Sequence, residues 1–446
     1  SEIANSTYPE EMKANARVMR AFHTFLEMDM WGDVPIADGD YVTEHGLDPN
    51  NRHPRAEVAR YIEKELKEVI ADDKLSTDVF GEAYGKPTKY MAQALLAKLY
   101  INWPVYTADA VENYDAATAK NEKLQDCIDL CDAIIGAGKF ALGPDEYRFK
   151  FNWDNTERVK SGRIKDFIYA MEYDTKTAQG MQWGRSHVYK DVKSMSMSYF
   201  GEFLNNSGGA YMTLTPECVS NFNLPGDERN WMIAGLCDKD GNPANGQVYV
   251  YDPATLLPTD EKALNRNGEP LVFTKDITIP AGNDVASVDV GDDLTGWSQG
   301  YRSMKWFLIN SDYSNGRNQS NDVPFFRYAD VLLMAAELGC DKADIYFNQV
   351  RSRAGLGHAA ATKENIMKER RFEFAFEGIN YWDLLRQGVD YAASKIATPG
   401  ITVYTGGVEE VLVINAENIK AKKGLSQIPQ NQITLSNNVL KQNPGW

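Results

Sequence analysis

Glu369, Arg370, Glu373 and Glu377 stand at i, i+3 and i+4 spacings within residues 369–388. On a helix, that spacing lets carboxylates and a guanidinium meet on one surface. Phe372, Phe376, Ile379 and Trp382 step by four, three and three, which is an apolar stripe. Gly378 offers a bend or stop, and Gly388 sits where a helix C-terminus favours glycine. The plainest physical reading is a surface helix laced with ion pairs. Two carboxylates at the right distance are also all that glycoside hydrolysis needs. With 63 acidic residues in the chain, however, no motif nominates a pair.

Other catalytic patterns fail on their own geometry. The run Gly81 to Thr88 is one residue short between its glycines for a phosphate loop, and Pro87 removes a backbone donor there. Asp238 to Asn242 begins like a calcium loop, but Pro243 stands where the glycine is needed and Tyr249 where the closing glutamate is needed. An ordinary turn is expected there. Gly355-Leu356-Gly357 lacks the third glycine of a dinucleotide fingerprint, and no His-Glu-x-x-His or Gly-x-Ser-x-Gly occurs. The five histidines are scattered, and His23 is expected to pack beside an apolar helix stripe. Five cysteines leave at least one unpaired; Cys127 and Cys131 lie one helical turn apart, and all five are read as small buried residues. No cofactor and no metal site is expected.

Carbohydrate binding asks for different parts. Pyranose rings have apolar faces that stack on flat aromatics, while Asn, Asp, Arg and Gln reach the hydroxyls from the rim. The chain has 23 Tyr, 18 Phe and 9 Trp, but the default place for any of them is the core. That default weakens where the aromatic sits in a polar, turn-rich segment. Trp183 (beside Gln182, Gly184 and Arg185), Tyr189, Tyr199, Trp231 (beside Arg229 and Asn230), Trp297 and Tyr301 meet this condition and are the candidate ligand-binding residues. Trp31, Trp306 and Trp382 are expected in the core, and Trp103 is ambiguous.

Amphipathic helices are predicted over 10–31, 55–71, from Pro87 as a first-turn proline to about Asn102, and over 114–136. From about 140 to 322 the chain turns rich in Gly, Asn, Asp and Ser, with short alternating pieces at 247–251 and 271–274 and an apolar piece at 303–309 that read as strands. Helices return at 325–338, 342–353 and 363–386, and a small hairpin is expected at 401–414. Helix pairs with short links suggest a solenoid-like scaffold without a strict repeat.

The string from Glu369 to Gly378, followed by Asp383, Leu384 and Arg386, resembles the signature of the SusD/RagB family, surface glycan-binding lipoproteins of Bacteroidetes. Further segments resemble the family in order: Arg20-Ala21-Phe22 leading to Gly32-Asp33-Val34-Pro35, Ala94 to Tyr100, Val323-Pro324 through Arg327-Tyr328-Ala329-Asp330 to Glu337, Asn348 to Leu356, Ile428-Pro429-Gln430, and the ending Gln442 to Trp446. The resemblance implies a mainly α fold of tetratricopeptide-type helix pairs supporting a variable loop-rich region with a few short strands. One SusD-like domain over 1–446 is expected, with scaffold at 10–139 and 323–388, a variable ligand-binding region at 140–322 and an irregular tail at 389–446.

The resemblance also implies a non-catalytic protein. Its expected role is to capture oligosaccharide or polysaccharide at the outer membrane, anchored by lipid through an upstream cysteine not present in this chain, and to deliver it to a SusC-like TonB-dependent transporter. Family members carry a further amino-terminal segment that contributes ligand contacts, so the resemblance implies a site that is incomplete or rebuilt if that segment is absent, and a longer set of site residues if it is present. The signature itself is expected to be structural, packed against helices at 16–31 and 325–338. The competing readings are a glycoside hydrolase on a helical scaffold and a helical-repeat module for protein or peptide. A net charge of −16 argues against nucleic acid or an anionic membrane as the main partner. No apolar run approaches the length of a membrane span.

Overall fold

The computed structural model describes residues 7–446, apart from 37–38, 40–42, 44–51, 111–112, 190–195, 207–211, 266, 280–297, 399 and 406–407. The protein is mainly α, with a few short strands. Helices Glu10–Trp31, Arg55–Ala71, Lys89–Ile101 and Leu124–Gly136 pack each against the next. Tyr328–Glu337 then docks on Leu124–Gly136, and Ala343–Arg353 and Lys363–Glu373 dock on Tyr328–Glu337. Two distant parts of the chain therefore build one helical stack. Lys89–Ile101 is buried all round and sits at its centre, capped by the Thr88 hydroxyl accepting from the Met91 N–H.

The apolar faces of these helices form one core, from Val18, Phe22 and Phe25 through Leu95 and Leu99 to Leu332 and Leu333. A second core lies in the loop-rich region and contains Tyr147, Phe151, Tyr189, Tyr251, Phe273, Trp306 and Phe307. Strands Phe167–Met171 and Val323–Arg327 pair antiparallel at the boundary. Phe372, on the signature helix Lys363–Glu373, belongs to the second core, while Ile366 on the same helix belongs to the first.

Between the cores lies a buried ion network. The Arg327 guanidinium donates to Asp166 at 2.7 Å, to Glu373 at 2.8 Å and to both Glu377 oxygens at 2.8 Å. Glu373 also holds Arg229 and Arg353, Glu377 holds Lys305, and Asp166 holds Lys150. Glu369 takes Arg229 at 2.7 Å and Arg351 at 3.2 Å. A second cluster joins Arg370 to Asp330 and Asp383, Asp330 to Lys98, and Arg386 to Asp383 and Glu337. The charges of 369–377 therefore do not pair with one another along a helix surface. Glu369, Arg370, Glu373 and Glu377 face inward and reach groups up to 144 positions away, as Glu373 does with Arg229.

Several expectations need correction. The helix expected over 363–386 breaks at 374–379, where Phe376 and Gly378 take left-handed backbone with φ of 65° and 81°, and it resumes as Asn380–Leu385. The expected contact with the first helix is carried by this second piece: Trp382 meets Phe25 edge-on and donates to Asp29. The helix expected from 114 starts at Leu124, because the Asp115 and Asn121 carboxylate and amide oxygens turn the preceding chain. Pro87 lies just outside its helix, ahead of the cap. Residues 303–308 are buried and Ile309 is half-buried, but only Ser303 belongs to a strand, the pair Arg302–Ser303. His23 is exposed, and Cys218 and Cys340 are half-buried; all five cysteines are free.

Burial alone would raise the Asp166 carboxyl, but Lys150 and Arg327 outweigh it and bring it to about 2. Glu373 is likewise held well below the usual range, burial being overcome by Arg353, Arg327 and Arg229. A depressed carboxylate adds stability above its unfolded pKa of about 4 that is lost as pH falls through the folded value. The melting temperature should therefore hold above about pH 4 and fall steeply towards about pH 2; a flat melting temperature across that window would contradict the ionised network. Arg327→Met should cost about 3–5 kcal/mol in denaturant unfolding, because it leaves three buried carboxylates short of a partner.

Candidate functional site

An aromatic platform needs an exposed ring on a rigid base. Trp183 is 45% exposed, while Trp306 beneath it is 4% exposed; their centroids are 5.3 Å apart at 80°, an edge-to-face contact. The local sequence explains the approach. Trp183 precedes the short turn Gly184–His187, and a Cβ on Gly184 would stand 2.3 Å from the Trp306 carbonyl oxygen. Only glycine lets the two segments close. The Trp306 indole N–H donates to the Phe376 carbonyl at 3.0 Å, so the base of the platform is tied to the break in the signature helix.

Phe376 is a bulky residue with φ of 65°, a conformation that costs about 1–2 kcal/mol. Its ring stacks on Phe222 at 6.4 Å and 7° and meets His187 at 6.0 Å, contacts that offset the strain. Burial, helped by Arg302, lowers His187 to about 4, and its Nδ1 accepts from the Ser303 N–H. His187 is therefore a neutral brace near pH 7. Met212, 56% exposed, donates its backbone N–H to the Ser186 carbonyl in the turn after Trp183. On the other side of Phe376 opens a cleft of about 350 Å³, reached by Phe222, Phe376 and Tyr391.

The remaining sequence candidates are spread more widely. Tyr189 and Tyr301 are 2% and 7% exposed in the second core. Tyr199 is also buried, and its hydroxyl donates to the His187 carbonyl at 2.7 Å. Trp231 is half-buried and donates to the Asp238 carbonyl at 3.0 Å. Trp297 lies outside the described residues. Trp183, Tyr199 and Tyr301 are brought into one region through the turn 184–187: Tyr301 accepts at its carbonyl from Leu214, two residues from Met212. Sequence reasoning missed Phe203, which is 51% exposed on a short strand, and Phe376, whose backbone role no local pattern signals. Trp103 is buried and donates to Glu122 at 2.8 Å. The Asp238 loop is an Asx turn, its carboxylate accepting from the Asp240 and Asn242 N–H groups. Among the described residues, no group of three His, Cys, Asp or Glu is placed to hold a metal, and no helix is long and apolar enough to cross a membrane.

The family model of the SusD family matches residues 285–446. The SusD-like protein P2 of Formosa agariphila is 28% identical over 461 aligned positions, covering 97% of this chain and 74% of the relative. Among solved structures, surface glycan-binding protein A of Bacteroides thetaiotaomicron in complex with laminarihexaose superposes with a TM-score of 0.62 at 21% identity, over 100% of this chain and 81% of that one. A SusD homolog of the same species gives a TM-score of 0.65 at 18% identity, with coverage of 100% and 81%. A laminarin-binding SusD-like protein gives 0.63 at 18%, with coverage of 100% and 82%. The fold is that of SusD-like proteins.

The platform separates surface from support. Trp306→Ala should cost about 3–5 kcal/mol, because it empties a buried site, whereas Trp183→Ala should cost about 1 kcal/mol or less. Equal losses in urea unfolding would show that Trp183 is core after all.

Proposed function

We propose that this SusD-like chain is a cell-surface glycan-binding protein, which captures oligosaccharide or polysaccharide and passes it to a SusC-like TonB-dependent transporter in the outer membrane. In this reading a lipid on an upstream cysteine holds it at the surface. The observation that carries the glycan reading is Trp183, a half-exposed indole braced edge-on by buried Trp306 in a fold shared with glycan-binding proteins. A pyranose can lie on the free indole face, with Gln182 and Arg185 beside it. The sugar contacts belong to the region 140–322, with Trp183 the leading ring, Trp231 and Trp297 as further stacking residues, and Tyr189, Tyr199 and Tyr301 shaping the site from beneath.

The signature carboxylates do not supply a hydrolytic pair. Glu369, Glu373 and Glu377 are each held by guanidinium or ammonium groups, so none is free to act as acid or base. Stacking is weak per sugar, so several contacts or linked proteins must act together.

Isothermal calorimetry against a panel of neutral and acidic oligosaccharides tests this. At least one should bind, and Trp183→Ala should weaken it by about tenfold or more, as truncating an interfacial anchor tryptophan does. Silence across the whole panel, with no transporter co-purifying from the native membrane, would reject the reading.

A further inference from the structure

The signature helix Lys363–Glu373 has two faces with different fates. Its inner face carries Glu369, Arg370 and Glu373 into the ion network. Its outer face carries Glu364, Lys368 and Arg371 at i, i+4 and i+7, and all three line the cleft of about 350 Å³ beyond Phe376. Lys395, from the helix Val389–Ile396, joins them. Three cations thus face one carboxylate, in a chain whose net charge is −16.

These cations are uncommitted among the described residues. The buried arginines at 229, 327 and 370 are each bound to two or more carboxylates. Arg371 is half-buried and forms no ion pair with a described residue, and neither does Lys368 or Lys395. The two ammonium groups lie over rings, Lys368 over Phe372 at 5.9 Å and Lys395 over Tyr391 at 5.4 Å, and pair with no described carboxylate. The half-buried amides of Asn221 and Asn380 also line the cleft. Phe222, Phe376 and Tyr391 supply flat apolar surface beside them. A cleft of this volume suits a small ring-sized ligand.

We propose that this cleft is a subsite for an acidic sugar residue, whose carboxylate or sulfate ester is held by Arg371, Lys368 and Lys395 while its ring lies against Phe376 or Tyr391. The proposal rests on the reading that the chain binds glycan and narrows the class of glycan. A planar guanidinium grips a carboxylate or sulfate through two parallel hydrogen bonds, which an ammonium cannot do. Arg371 is therefore the principal ligand and the lysines assist. The link through Phe376 to Trp306 puts this subsite on the same support as Trp183.

The test titrates the protein with three probes: a galacturonate hexasaccharide, a sulfated carrageenan hexasaccharide and neutral laminarihexaose. At least one acidic probe should bind tenfold or more tighter than the neutral one, and the acidic probe that binds identifies the anion. Arg371→Gln and Lys395→Gln should each weaken that probe, Arg371→Gln by tenfold or more, with the melting temperature unchanged. Arg371→Lys should restore only part of the loss. The subsite is overturned if the neutral probe binds as well as the acidic ones, or if both glutamine variants keep wild-type affinity. Failure of all three probes to bind the wild-type protein also overturns the subsite, whereas the glycan reading itself falls only with silence across the full oligosaccharide panel.

Discussion

The Arg327 guanidinium, fully buried and shared among Asp166, Glu373 and Glu377, is the contact on which the rest of the structure depends. Removing so many charges from water is costly, and their mutual attraction offsets that cost only when every partner is in place. The arrangement therefore joins elements that share little else. Asp166 lies next to the strand Phe167–Met171, Arg327 ends the strand Val323–Arg327, and Glu373 ends the signature helix. Arg229 and Lys305 bring in the loop-rich region. That region has short strands and little regular hydrogen bonding of its own, so its position relative to the helical stack relies on these bonds and on the core around Trp306.

The same constraint shapes the surface. Lys305 donates to the Ala375 carbonyl and Trp306 to the Phe376 carbonyl, so the break after Glu373 is held from both sides. This hold keeps Phe376 in a left-handed conformation and aims its ring at Phe222 and His187. Trp183 then rests on Trp306. The exposed ring and the cationic cleft are thus two outward consequences of one buried anchor. A helix whose inner face is fully engaged is free to use its outer face for recognition, and its rigidity lowers the entropy lost when a ligand docks.

Much of the helical scaffold could be read from periodicity alone. Helices Glu10–Trp31 and Arg55–Ala71 match the predicted ranges, because each has one apolar face and ends at a proline-containing exit or a charged turn. The hairpin of Ile401–Thr405 and Val408–Leu412 also follows its alternation. The errors fall where long-range contacts overrule local pattern. Residues 114–123 have helical spacing, yet Asn121 uses its amide to bind the Tyr100 carbonyl in another helix. The polar neighbours of Tyr189, Tyr199 and Tyr301 suggested exposure, but short strands and turns from distant segments cover these rings. Trp183 has the same kind of neighbours and stays half-exposed, because no described segment folds over its outer face.

The sequence by itself determined the class of the fold, the order of the helices and the family resemblance, since helical periodicity and short motifs are local properties. It also determined that the charges of 369–377 matter, without saying to what they are bound. Only the tertiary structure decided that Glu369, Arg370, Glu373 and Glu377 face inward, that Phe376 sits in strained backbone, and that Lys368, Arg371 and Lys395 line one cleft without an ion pair to a described residue. Burial and pairing are relations between residues far apart in the chain. Spacing along one helix can state which side chains share a face, but not which face is covered.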